Sequence, residues 1–397
     1  MKICDLTQFY SPVSGGVKRY VHEKVRYLHA HTDDEHVLII PGERDERTVE
    51  GRATVYTIRS PLLSRTSRYR AILRLGAIER ILERERPDVI ESGDPYQVAW
   101  KAVASGKALG IPVIGFYHSH FPEAYVRTVA RFFGQTATEF VMDAARRYVC
   151  SLYNRFQRTL VPSPALERLL TDWGVTNTAH LDLGVDTDVF QPAPNGSQEP
   201  AQTRSELNLP TGRIVLLYVG RLAQEKNTRT LFDAFEQLHQ AEPARYHLLV
   251  VGDGTQRHSL QALQAATGQV TWLSSCLEAD RLARIYRCAD CFVHPGLQET
   301  FGLVTLESQA CGTPVVGIRG SYMDRIIFSD QNHWAAENTP ASLAQAIRET
   351  CCGGNDLHTQ GRAASDAVRA RYSWNLVFER LFRIYREAIK TYNTTDV

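Results

Sequence analysis

The chain has 397 residues, 43% of them hydrophobic, which suits two α/β cores better than one. Its 45 basic and 44 acidic side chains leave a net charge of +1, so nothing global asks for nucleic acid as a partner. No run approaches the roughly 18 apolar residues of a spanning helix. No charged stretch followed by an apolar one is read after Met1-Lys2, so a cytoplasmic protein is expected, with peripheral contact at the inner face of a membrane left open.

The first half alternates short apolar runs with amphipathic helical patterns. Strands are expected over Lys2–Leu6, His36–Ile40, Thr54–Ile58, Asp88–Ser92, Val113–Tyr117, Thr159–Pro162 and His180–Leu183, with helices between them such as Val17–His29 and Ala71–Glu85. Such alternation means βαβ units and a parallel sheet. Three prolines and Asn195-Gly196 between Pro192 and Pro200 read as a loop. A second βαβ series follows, with strands over Ile214–Val219, His247–Val251, Val270–Leu273, Cys291–His294 and Pro314–Ile318 and helices over Thr228–His239, Glu278–Cys288 and Leu306–Cys311. Apolar residues at helical spacing from Trp374 to Lys390 form a long closing helix. The expected organisation is an N-terminal domain over residues 1–190 and a C-terminal domain over 191–373, with the helix at about 374–392 packing back on the first. Two doubly wound, Rossmann-like sheets facing a central cleft would bind ligands at the C-terminal ends of their strands.

Three segments carry candidate chemistry. Ser11-Pro12-Val13-Ser14-Gly15-Gly16 follows the first strand and precedes a helix, and the glycine pair would let backbone amides approach an anion. It is neither a G-x-G-x-x-G nor a P-loop, so a dehydrogenase or kinase loses support. Gly220-Arg221-Leu222-Ala223-Gln224-Glu225-Lys226-Asn227 places two cations five residues apart where a strand gives way to a helix. That is a natural diphosphate clamp, although solvated loop charges are an equal alternative on this segment alone. The most informative segment runs from His294 to Glu307, linking a buried strand to a helix. Gly302 permits close backbone approach, and free amides at the helix start can meet phosphate. Glu299 and Glu307 flank this turn and would repel phosphate unless each met hydroxyl donors, such as those of a sugar and a ribose.

Of the eight cysteines, Cys4, Cys150, Cys276 and Cys311 read as small apolar residues. Cys288-x-x-Cys291 with His294 is a weak metal signal without a second ligand pair, and a helix end running into a buried strand is preferred. Arginines 65, 68, 70 and 74, and the arginine- and aromatic-rich stretch from Tyr125 to Arg158, could dock anionic lipid or an acidic acceptor. Solvated helix faces are the preferred reading of both.

Taken in order, Leu183-Gly-Val-Asp-Thr-Asp-Val-Phe-Gln-Pro192, Gly220–Asn227 and Glu299-x7-Glu307, continuing to Val316, resemble glycosyltransferase family 4 of the two-domain GT-B fold. The resemblance runs over nearly the whole chain. It implies a retaining enzyme that moves a hexose of the mannose or glucose type from a nucleotide-diphosphate sugar to a glycan or lipid-linked acceptor. GDP-mannose and UDP-sugars are the leading donors, and α-mannosyl transfer is among the candidate activities. By resemblance, Arg221 and Lys226 hold the donor diphosphate and Glu299 contacts sugar hydroxyls. The amides of Phe301, Gly302 and Leu303 approach sugar and phosphate, and Glu307 binds ribose. The base sits near Leu273–Leu277. Gly15 and Gly16 lie against donor or acceptor, and His118, with His120 as second candidate, sits near the transferred sugar. No cofactor or metal is implied, and Asp186-Thr187-Asp188 is read as structural. The alternatives are a sugar-nucleotide epimerase, a glycan phosphorylase, or a two-lobed sugar or nucleotide sensor without turnover.

Overall fold

The computed structural model describes residues 1–10, 16–63, 68–118, 139–297, 301–321, 323–328, 334–352 and 357–395. The chain forms two compact units, Met1–Leu183 with Trp374–Val397, and Gly184–Ser373.

The first unit is built on β1 (Lys2–Leu6), α1 (Gly16–His31), β2 (Glu35–Gly42), β3 (Glu46–Glu50), β4 (Ala53–Arg59), α2 (Leu75–Glu85), β5 (Val89–Ser92), α3 (Gln97–Leu109), β6 (Val113–Phe116), β7 (Arg158–Val161), α4 (Pro164–Trp173) and β8 (Thr178–His180). The sheet order is β3-β4-β2-β1-β5-β6-β7-β8. All pairings are parallel except β3 with β4. Strands β5 and β6 are buried at every position, as expected of central strands covered on both faces. Strand β3 was not legible in the sequence. Its five residues, Glu-Arg-Thr-Val-Glu, are all exposed, and pairing with β4 across a short turn alone makes it a strand.

The segment before α2 also departs from expectation. The helix begins at Leu75, not at Ala71, because residues 69–71 pair with residues 61–63 ahead of it. Leu63 donates its amide to Tyr69, Ala71 donates to Pro61, and Leu62 pairs antiparallel with Arg70. The last strand lies over Thr178–His180 rather than His180–Leu183; Leu181 and Leu183 are buried in the connection beyond it.

The second unit contains α5 (Glu199–Glu206), β9 (Ile214–Val219), α6 (Thr228–Ala241), β10 (Tyr246–Val251), α7 (Arg257–Thr267), β11 (Val270–Leu273), α8 (Ala279–Cys288), β12 (Cys291–Val293), α9 (Leu303–Ala310), β13 (Val315–Ile318), β14 (Trp334–Ala335), α10 (Pro340–Cys352) and α11 (Leu357–Tyr372). Its sheet has the order β11-β10-β9-β12-β13-β14 and is parallel throughout. The order reverses beside β9, so the loops leaving β9 and β12 flank the switch point where open α/β sheets bind ligands. Cys288 ends a helix and Cys291 lies in a strand, both buried, and burial pushes the Cys288 thiol up to about 12.

The closing helix, α12 (Trp374–Thr395), belongs to the first unit. Phe378 and Phe382 pack on Tyr27 of α1, and Trp374 stacks on Phe378. Below them lies a buried polar cluster. The Lys24 ammonium, wholly buried, donates to Asp5 Oδ1 at 2.8 Å and Tyr385 Oη at 2.9 Å and lies 3.1 Å from Glu91 Oε1. The Tyr20 and Tyr385 hydroxyls donate to Glu91, and His36 Nε2 is bonded to Asp5 Oδ2. Lys24 and His36 outweigh desolvation and hold Asp5 well below the usual carboxylate range, whereas burial raises Glu91. Among the described residues, no helix is long and apolar enough to cross a membrane.

Candidate functional site

In the second unit the site starts from the exits of β9 and β10. Gly220 and Gly252 both have positive φ, 154° and 141°. A Cβ at Gly252 would collide with the Gly220 carbonyl, and one at Gly254 with the Leu222 carbonyl. Only glycine lets these two loops touch backbone to backbone. Gly220 donates to Val251, and Leu222 to Asp253 at 3.0 Å. Leu222 and Ala223 are buried and anchor the loop, while the Arg221 side chain is 67% exposed and 3.5 Å from Glu225. An exposed pair of this length contributes at most about 1 kcal/mol, so an arriving phosphate can take the guanidinium from it.

Lys226 ends a short 3₁₀ turn, and Asn227 follows in the left-handed conformation at φ 56°. The Asn227 amide donates to the Pro295 carbonyl at 2.8 Å and to Asn338 Oδ1 at 2.7 Å. The cation loop is thereby tied to the loop that leaves β12. That second loop ends at Gly302, at φ 83°, which caps α9. The first intrahelical bonds run from Thr305 and Leu306 to the Gly302 carbonyl, so the Leu303 and Val304 amides precede the hydrogen-bonded ladder. A Cβ at Gly302 would meet Met323 Sδ. Phe301 is buried and packs edge-on against Tyr372. One turn into α9, the buried Glu307 accepts the Tyr286 hydroxyl at 3.1 Å. Leu273 ends β11, where Trp272 Nε1 donates to the Gly252 carbonyl at 2.7 Å.

In the first unit, His118 follows β6 and stacks on Phe116 at 3.9 Å, with Tyr20 edge-on at 5.4 Å. It lines a cavity of about 220 Å³ together with Phe9, Tyr69, Gly93, Tyr96 and Tyr153. Close packing, then the nearby Lys24 ammonium, hold its pKa down to about 3, so the imidazole is neutral at physiological pH. Gly16 opens α1 and is exposed. Gly15, His120 and Glu299 lie outside the described residues.

Some residues of these surroundings had no role in the sequence reading. Gly252-Asp253-Gly254 after a strand was a visible signal for a tight approach. Asp94 was not visible. It is buried beside the cavity-lining Gly93 and Pro95, accepts the Gln8 amide at 2.9 Å, and has Oδ1 without a partner. Burial raises its pKa to about 7. Asp186, by contrast, accepts the amides of Asp188 and Val189, which makes Asp-Thr-Asp a turn cap. Among the described residues, no group of three or more His, Cys, Asp or Glu is placed to hold a metal.

Two doubly wound parallel sheets with glycine-bearing, cationic loops at a switch point define a GT-B architecture. Residues 14–189 match the family model "Glycosyltransferase Family 4", and residues 201–365 match "Glycosyl transferases group 1". The chain is 30% identical over 352 residues to a GDP-mannose-dependent alpha-(1-6)-phosphatidylinositol dimannoside mannosyltransferase of Mycobacterium tuberculosis, covering 88% of this chain and 87% of that one. It is 27% identical over 325 residues to a GDP-mannose-dependent alpha-mannosyltransferase of Corynebacterium glutamicum, covering 80% and 72%. Among solved structures, sucrose-phosphate synthase of Thermosynechococcus elongatus superposes with a TM-score of 0.76 at 20% identity, covering 98% of this chain and 99% of that one, a likeness of fold. The chain belongs to glycosyltransferase family 4, and it is a retaining glycosyltransferase that uses a nucleotide sugar. The epimerase, phosphorylase and sensor alternatives give way to that activity.

Proposed function

We infer that the enzyme transfers a hexose, with GDP-mannose as first candidate donor and UDP-sugars as the alternative, to a glycan or lipid-linked acceptor. The relatives named as GDP-mannose-dependent support the choice of donor. The observation that carries the reading is the tie between two loops. Asn227 bonds the Arg221–Lys226 turn to Pro295, and the Pro295 loop ends in the left-handed Gly302 that opens α9. A diphosphate held there would meet two cations, free amides and a helix dipole together.

In this reading Arg221 and Lys226 stabilise charge on the departing diphosphate, aided by the amides of Phe301, Gly302 and Leu303. Glu299 takes sugar hydroxyls, Glu307 the ribose, and Leu273 borders the base. The second unit is thus the donor-binding domain and the first the acceptor-binding domain, with Gly15, Gly16, His118 and His120 as acceptor-side groups. The bond from the anomeric carbon to phosphate breaks while the acceptor oxygen bonds to the same face. The acceptor's proton passes to a donor phosphate oxygen, so no carboxylate base is needed. A neutral His118 can donate or accept a hydrogen bond to a sugar hydroxyl without competing for that proton. The protein acts in the cytoplasm, with the membrane as its peripheral partner where the acceptor is a lipid.

Thermal unfolding in the presence of GDP-mannose, GDP-glucose, UDP-glucose and UDP-galactose tests the donor. A ligand at about 100 times its Kd stabilises the folded state by about 2.7 kcal/mol. Stabilisation by GDP-mannose above the others supports the reading. No stabilisation by any of the four contradicts it.

A further inference from the structure

The turn that opens α9 is held from behind by a segment to which no role has been given. Residues 323–328 follow β13, and α9 fastens them through one side chain. Gln309, buried on α9, donates its Nε2 to the Ile326 carbonyl at 2.7 Å, and its Oε1 accepts the Phe328 amide at 2.7 Å. Both halves of the carboxamide are thus spent on this segment. Two of its side chains, Met323 and Ile326, are fully buried and form the floor beneath Gly302, where a Cβ would lie 2.4 Å from Met323 Sδ and 3.1 Å from Ile326 Cδ1.

The same segment sends Arg325 to Phe301. The guanidinium carbon lies 5.4 Å from the centre of the Phe301 ring, and Tyr372 meets that ring edge-on at 6.2 Å. Gly302 has no side chain and stands at φ 83°, so nothing of its own fixes the direction of its amide. The peptide between Phe301 and Gly302 is therefore oriented by the floor below it and by the Phe301 ring. An apolar side chain would pack on that ring equally well. A partly buried guanidinium costs desolvation there, and the ring quadrupole together with an anion beyond it would offset that cost.

We propose that Arg325 is a positioning residue of the donor site, which acts through the Phe301 ring to aim the Phe301 and Gly302 amides at the departing diphosphate. The inference rests on the reading of this turn as the diphosphate site. Arg325 touches no reacting atom in it. Its effect falls on turnover, because amides held in one direction stabilise charge as it develops without reorganising. A shift of about 1 Å in such groups costs up to about a hundredfold in rate.

A double-mutant cycle on turnover tests this. Release of nucleotide diphosphate from GDP-mannose and from UDP-glucose is measured for the full chain and its variants, with unfolding curves beside each. Arg325→Met keeps the packing and removes the charge, and should lower kcat about tenfold or more with little change in KM. Phe301→Leu keeps an apolar side chain without the ring face and should cost about as much. Adding Arg325→Met to Phe301→Leu should then cost less than about twofold more. Arg325→Lys restores a cation over the ring and should recover most of the loss. A kcat for Arg325→Met within about twofold of wild type overturns the inference, even if its Tm falls. So do losses that multiply in the double variant, or an Arg325→Lys as slow as Arg325→Met. Wild type that releases nucleotide from neither donor sinks the donor reading and this inference with it, whereas active wild type beside an equally active Arg325→Met sinks the inference alone.

Discussion

Replacing Lys24 by methionine should destabilise the first unit strongly, and the size of the effect follows from its surroundings. The ammonium is wholly buried, 2.8 Å from Asp5 and 3.1 Å from Glu91. Those two carboxylates stand opposite each other on the neighbouring strands β1 and β5. Methionine fills the space of the lysine stem but leaves two like charges buried together. Breaking one side of a buried ion pair costs about 3–5 kcal/mol. For a unit of this size each kcal/mol lowers Tm by about 2–4 °C, so a fall of roughly 10 °C is expected near pH 8. Glu91 is already raised toward protonation, so acidification neutralises one of the stranded acids and the deficit shrinks toward about pH 5. For the same reason Lys24→Met with Glu91→Gln should be more stable than Lys24→Met alone. The assay is denaturant unfolding followed by circular dichroism, at both pH values, on wild type, single and double variants. A loss below about 1 kcal/mol, or a double variant less stable than the single, would mean that Lys24 does not hold the two buried acids together.

Asp94→Asn keeps the acceptor for the Gln8 amide and removes a carboxylate whose pKa is raised to about 7. The folded state holds this proton more tightly than the unfolded chain, so wild-type stability from this group is present in acid and is lost as pH rises through about 7. The variant should therefore be the more stable protein at about pH 8, by up to about 4 kcal/mol, with the gap closing below about pH 4; urea unfolding across pH measures it. Gly302→Ala forces a left-handed alanine and sets a methyl against Met323. It should cost about 1–2 kcal/mol and weaken donor binding in calorimetry. Glu307→Gln keeps the acceptor oxygen for Tyr286 but removes the charge, and should raise KM for the donor far more than it lowers kcat.

Local pattern made much of this fold legible. Lys2–Leu6, Ile214–Val219 and Val270–Leu273 are the strands their alternation and apolar runs announce. Features fixed by pairing at a distance were not. The strand Glu46–Glu50 has no buried residue to betray it, and α9 starts at Leu303 because a left-handed Gly302 caps it three residues ahead of the expected start. The candidate site divides in the same way. Arg221, Lys226, Gly302 and Glu307 could be marked because cations, glycine and acid fall at strand exits. The Asn227–Pro295 tie spans 68 residues and the Lys24–Tyr385 bond 361, and no window along the chain holds both partners. Asp94 is in plain view in Gly-Asp-Pro, but only burial raises its pKa.

In the proposed mechanism the Arg221–Lys226 turn carries the charge of the departing diphosphate. The direct measurement is steady-state transfer from radiolabelled GDP-mannose by Arg221→Ala and Lys226→Ala, with unfolding curves showing both variants intact. A fall in kcat of about 10²–10³ in each is the predicted result, the usual cost of losing one preorganised charge-stabilising group. Near-normal turnover in both variants would mean that neither cation stabilises the leaving group.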